Sequence, residues 1–352
     1  MKKTCAIILA VLISLFSVQA FAAGGLTSGD QAIYGNKTFE NNVIVKKNLT
    51  VLGALLGINQ YSKIFYVDSG SGHDSAGNYG TDWEHPFATL EYAINQCTAG
   101  RGDIIFVLPG HNEGITTAAE IDFDIQGISV IGLGVGELMP TIDFDNANGS
   151  VAVGADDVTI ENIRFRTSAN AVTAGLDIEA GVDDTHVIGC HFGYAETATD
   201  EFAISLRIGD GSTGTVIKHC EFHAGAQAAV VAIKLNSATS ASDHILLKDN
   251  WITGNYSTAP IQGVTTASTN LLIDGNVFFT GGSADTFNLV AASTGIVGNN
   301  IITMNAASAA LALDIGNCLN FENYLIADDD VGGAKAAVVS TTFTSVAATA
   351  DD

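Results

Sequence analysis

The chain has 352 residues, of which 38 are Asp or Glu and only 14 are Lys or Arg, for a formal net charge of −24. A surface this acidic repels nucleic acid and anionic lipid, and it argues against polyanionic ligands unless a local basic patch or bound cations intervene. Four prolines, 38 glycines and no long apolar stripe at a 3.6-residue period exclude helix bundles and alternating α/β units.

The first 22 residues combine Lys2 and Lys3, an apolar run and the small-residue pattern Ala20-Phe21-Ala22, which predicts a bacterial-type secretory signal peptide cleaved after Ala22. The run is short for a spanning helix and is followed by Gly24 and Gly25. The mature protein is therefore expected to be secreted or held at the cell surface, without membrane insertion. Losing Lys2 and Lys3 leaves 12 bases against 38 acids, a net charge of −26. Cys97, Cys190, Cys220 and Cys318 remain, too few to form a disulfide framework in a chain long enough to bury a core. Residues 23–60 contain "GDQAIYGNKTFENNVIVKKNLTVLG", short alternating β runs that bury little alone. They are expected to form a stem or linker, either oligomerising or lying along the main domain.

The main domain is expected over 61–340, with a cap at 61–115 and a C-terminal tail at 341–352. Within the cap, His73, Asp74, His85 and His111 fall in or near loops without the convergence a zinc site requires. Next come "EIDFDI" at 120–125 and "TIDFDN" at 141–146. Ile121, Phe123, Ile142 and Phe144 take the inward phase, which leaves Asp122, Asp124, Asp143 and Asp145 outward. Read as neighbouring coils, the two runs would stack four carboxylates. Such a row either holds a hard cation, for which calcium is the candidate, or splays into water. No other cofactor is required. "GLGVGELMP" has alternating glycines but lacks the βαβ setting of a dinucleotide site.

From residue 160 a six-residue segment recurs as "IENIRF" (160), "VIGCHF" (187), "IKHCEF" (217), "LKDNWI" (247), "IDGNVF" (273), "VGNNII" (297) and "FENYLI" (321). The steps of 24 to 30 residues suit one coil of a parallel β-solenoid, built from two or three short strands and their corners. Equivalent residues then form columns. The sixth position (Phe165, Phe192, Phe222, Ile252, Phe278, Ile302, Ile326) faces inward. The third (Asn162, Gly189, His219, Asp249, Gly275, Asn299, Asn323) suits a corner with unusual backbone angles. The fourth runs Ile163, Cys190, Cys220, Asn250, Asn276, Asn300, Tyr324, and its asparagines can hydrogen-bond along the column. Cys190 and Cys220 are expected as stacked buried thiols, because parallel Cβ vectors make a strained bridge.

On these coils, on "ADDVTIENIRF" and "LLIDGNVFF", and on the upstream "IFYVDSGSGHDSAGNYGTDWEHPFATLEYAINQC" followed by "GDIIFVLPGHNEG", the chain resembles right-handed parallel β-helix proteins of the pectate-lyase-like class over about residues 61–330. The resemblance implies an all-β right-handed parallel β-helix, with a "PFATL" turn and a short N-terminal cap helix closing the open end. The segment before it resembles the stem repeats of trimeric phage fibres. The scaffold hosts lyases, hydrolases, fibre proteins and adhesins, so it fixes fold and leaves function open. The "GHG" and "RxK" signatures of the hydrolase branch are absent.

Alternation along each strand then defines the outer surface. Arg164, Arg166, His191, Glu221 and His223 form one polar patch with Trp251 beside it. Beyond lies an outward apolar stripe of Trp251, Val277, Phe279, Ile301 and Leu325. The stripe predicts an interface, either with the C-terminal segment or with a second copy, trimeric by analogy with fibres. The patch fits an ion-paired exterior, a polysaccharide-binding site with Trp251 as stacking face, or a lyase site using Arg or His as base. No residue is assigned as catalytic. Three functions stand: an exported structural or surface-binding protein that recognises glycans, a lyase or depolymerase of acidic polysaccharide, and a filament-forming assembly protein.

Overall fold

The computed structural model describes residues 62–75, 77, 79–194, 200–225, 229–236, 238–280, 286–304, 313–327 and 336–339. The signal peptide, the stem and the tail expected from the sequence lie outside them. Among the described residues no helix is long and apolar enough to cross a membrane.

The chain winds through three sheets in turn. Sheet 1 has ten strands, starting at Ile64–Val67 and ending at Leu319–Phe321; sheet 2 has ten, starting at Asn112–Ile115; sheet 3 has eight, starting at Ile121–Asp122. Every pairing is parallel except the last, where Ala336–Val339 runs antiparallel to Tyr324–Ala327. Parallel strands reached by such crossovers wind right-handed, so the domain is a right-handed parallel β-helix. At the N-terminal end, Thr89 caps the short helix Leu90–Ile94, whose Leu90, Ala93 and Ile94 are buried.

The interior is a set of columns. Phe165, Phe192 and Phe222 stack with centroids 4.8 and 4.9 Å apart and ring planes within 8°, which is the strand spacing itself. Asn250, Asn276, Asn300 and Asn323 form a buried ladder: each Nδ2 of the first three donates to the Oδ1 of the next, at 2.9, 3.0 and 2.8 Å. The same Oδ1 atoms accept the backbone N–H one coil earlier. At the head of the ladder, Asn250 Oδ1 accepts from the Cys220 N–H at 2.9 Å. Cys190 and Cys220 continue the column as unbonded, buried thiols. Burial pushes the Cys220 thiol well above its ordinary pKa, a second effect coming from its contact with Cys190.

The corner between sheets 1 and 2 has positive φ in every coil from Asn162 onward: 56° at Asn162, 60° at Gly189, 55° at His219, 52° at Asp249, 69° at Gly275 and 56° at Asn299. In the last coil the corner residue is Glu322, at 47°, and not Asn323. The expected register of that coil is thus one residue out. Ile302 pairs with Leu325 and Ile301 with Tyr324. Asn323 was misplaced because asparagine suits both a left-handed corner and an amide ladder, and here it fills the ladder.

Two outcomes follow. Asn276→Ala should lower unfolding free energy by at least about 3 kcal/mol in chemical denaturation, at ~1–3 kcal/mol for each buried group left unpaired. His219→Gly should raise stability by up to about 1 kcal/mol while His219→Val lowers it, since a left-handed conformation costs an L-residue ~1–2 kcal/mol.

Candidate functional site

The outer face of sheet 2 carries two rows. Across successive strands the first reads Thr141, Arg164, His191, Glu221, Trp251, Val277, Ile301, Tyr324. The second begins Asp143, Arg166, Gly193 and continues past His223 with Thr253, Phe279 and Thr303. The pairing therefore brings Arg164, Arg166, His191, Glu221 and His223 together on three adjacent strands, with Trp251 on the fourth. Trp251 packs against Phe279 at 5.1 Å between centroids. Leu325 does not belong to the first row: the register places Tyr324 there, and Tyr324 is 55% exposed.

Between Arg166 and His223 the second row has no side chain at Gly193. A Cβ there would come within 3.3 Å of His223 Cβ. The gap forms a surface cavity of about 220 Å³ lined by Arg164, Arg166, His191, Gly193 and His223 over the stacked Phe165 and Phe192. Each polar group is held from outside the cavity. Arg164 Nη2 donates to the Gly136 carbonyl at 2.6 Å. Arg166 Nη2 is bound by Asp143, whose other oxygen accepts from Ser168 at 3.0 Å. His223 Nδ1 meets Thr253 Oγ1 at 2.7 Å, and His191 Nδ1 lies 3.8 Å from Glu221. Arg166 Nε is buried with no hydrogen-bond partner. Burial lowers the His191 pKa against the opposing charge of Glu221, with the Arg164 guanidinium adding to the lowering. Its imidazole is therefore neutral at neutral pH, able to accept a proton. Gly193 and Asp143 complete the site beyond the expected patch. The signal for Gly193 was a glycine at an outward strand position of "CHFGY".

The two acidic runs do not stack. Asp122 lies in sheet 3, paired with Ala152, whereas Asp143 lies in sheet 2 between Gly114 and Arg166. Twenty-one residues carry the chain only part of the way round a coil, since Ile121 pairs with Val151 and Thr141 with Arg164. The four-carboxylate row of Asp122, Asp124, Asp143 and Asp145, for which calcium was the candidate cation, is thus replaced by two separate settings. Asp143 neutralises Arg166. Asp122 sits beside Asp124 and Glu91, whose Oε2 accepts from the Asp122 N–H at 2.9 Å. Among the described residues no three His, Cys, Asp or Glu side chains are placed to hold one metal ion.

No family model matches the chain, and no curated protein matches it. Among solved structures, it is similar to the pectin methylesterase from Aspergillus niger in deglycosylated form, at 15% identity over 79% of this chain and 92% of that one, with a TM-score of 0.44. The same enzyme in penultimately deglycosylated form gives 15% identity and 0.43 over the same shares. Geobacillus virus E2 ORF18 gives 16% identity over 68% of this chain and 57% of that one, with a TM-score of 0.34.

Burial, followed by the charge of Asp124, raises the Asp122 pKa above its ordinary 3.8. The folded chain then binds that proton more tightly than the unfolded one, so ionisation opposes folding above the raised pKa, and the opposition is gone below the unfolded value. Asp122→Asn should therefore melt at higher temperature than the parent near neutral pH, with the difference closing as pH falls toward 3.8. A constant difference across that range would show that charge is not the cause.

Proposed function

We propose that the Gly193 cavity, at the N-terminal end of the outer face of sheet 2, binds an acidic sugar unit of a glycan, so that the protein acts as an exported surface-binding element. The observation that carries this is the convergence of Arg164, Arg166, His191 and His223 around the side-chain-free Gly193 in a chain with only 14 Lys and Arg. In so acidic a molecule, an anionic group gains from approach where basic side chains gather, and Arg164 and Arg166 gather here. Guanidinium groups favour carboxylates, and Arg164 and Arg166 both line the cavity.

Cleavage is the second reading, favoured by one observation: the neutral His191 imidazole stands beside two arginines able to hold a uronate carboxylate, as β-elimination requires of a base. Calorimetry with polyuronate and neutral glucan oligomers tests binding. Acidic oligomers should bind and neutral ones should not. Arg166→Gln should weaken binding about tenfold or more, the loss of a charged hydrogen bond, and Gly193→Leu should abolish it. Because His191 takes its proton only below the ordinary 6.5, affinity should rise as pH falls from about 7 toward 5, and His191→Asn should flatten that rise. Equal binding of neutral and acidic oligomers, or none of either, overturns the proposal. Growth of an unsaturated, ultraviolet-absorbing product would establish the lyase.

A further inference from the structure

Sheet 1 has an exposed apolar row of its own. Its outer positions in successive coils are Val216, Leu246, Leu272, Ile296 and Leu319, with Leu272 38%, Ile296 43% and Leu319 52% exposed. The row nearer the corner reads Glu161, Ile188, Lys218, Lys248, Asp274, Gly298, Phe321. Across the corner, the first row of sheet 2 in the same coils reads Arg164, His191, Glu221, Trp251, Val277, Ile301, Tyr324.

Compared coil by coil, these two rows are complementary in five of the seven coils, the exceptions being Ile188 level with His191 and Asp274 level with Val277. Glu161 is level with Arg164, and Lys218 with Glu221, giving opposite charges in both coils. Lys248 is level with Trp251, a cation beside an aromatic face. Below them Gly298 is level with Ile301, and Phe321 with Tyr324, apolar against apolar. Asp274 is already paired with Lys248 at 3.2 Å and accepts from Asn299 at 2.7 Å, so its charge is satisfied within the chain. Among the described residues Lys218 makes no ion pair of its own. Sheet 3 differs: its outer row carries Asp177, Arg207, Lys234, Gln262 and Asn288, with Asp177 and Arg207 ion-paired.

We infer that a second copy of this chain docks its sheet 1 against sheet 2 of the first, level with it along the stack. The contact is heterologous, because two different faces meet. It has no axial offset, because the complementarity holds between equivalent coils. An operator that rotates without translating closes into a ring, whereas a filament needs a step along the axis. The seam centres on the coils from Lys218 to Tyr324. The cationic cavity around Gly193 lies toward its N-terminal rim, on the row farther from the corner.

The test uses the full exported chain. Sedimentation should give a closed assembly of fixed size. Lys218→Glu should weaken association about tenfold, as removal of a paired interfacial charge does, and the double variant Lys218→Glu/Glu221→Lys should recover it. The Ile296→Cys and Ile301→Cys variants, both at exposed positions and each first checked to melt like the parent, report the faces directly. Mixed under mild oxidant they should form disulfide-linked pairs, and neither should do so alone. A monomer at all concentrations, filaments that lengthen with concentration, or either variant linking to itself overturns the inference. So does a fixed oligomer in which the mixture never cross-links, which would place assembly elsewhere, such as in residues 23–60.

Discussion

Each coil of this molecule must meet the hydrogen-bonding needs of the one before it, residue against residue, at a single strand spacing. That requirement governs the rest. A polar group placed inside has no water and only two neighbours, the equivalent positions above and below, so it must find its partner in its own column. Asparagine answers this at residues 250, 276, 300 and 323, because one amide both donates and accepts. The corner answers the same need through geometry: a left-handed residue turns the chain so that the ladder side chain after it points inward.

The same constraint makes the exterior legible as rows. Since register is fixed inside, an outward residue is free to vary while its position is not. Chemistry can therefore be assembled from residues some thirty positions apart, as Arg164 with His191 and His191 with Glu221 are. No loop has to close and no helix has to dock. The cavity at Gly193 is the most economical form of such a site, an omission of one side chain in a cationic row.

Most of this fold could be read from the chain. The hexapeptide spacing gave the coils, the phenylalanine column and the polar patch, because strict alternation over short strands leaves little freedom. Three things could not be read, each for a physical reason. The last coil slipped by one because Asn323 suits two adjacent columns. The acidic runs were stacked because Ile121-Asp122-Phe123 and Ile142-Asp143-Phe144 share an alternation that says which way a side chain points, but not which of three sheets it belongs to. The apolar row of sheet 1 was hidden because Leu271-Leu272-Ile273 reads as one wholly buried run; only the burial of its flanking residues shows that Leu272 faces out.

The asparagine ladder is also directional. Each of the first three Nδ2 groups gives one hydrogen to the Oδ1 of the next coil and the other to a backbone carbonyl of the coil before, while every Oδ1 accepts from the N-terminal side, so the amide-to-amide bonds all run one way along the stack, each polarising the next. It starts at the Cys220 N–H and leads off through Asn323 to Asn320 and the Val297 carbonyl. Such a series lengthens by whole units. A duplicated coil bearing asparagine, inserted anywhere between Asn250 and Asn323, would extend it with every donor still matched. A coil copied from the thiol pair would split it into two shorter series and leave an amide without its acceptor. Between Asn250 and Asn323 the molecule thus has a segment open to growth by duplication of asparagine-bearing coils.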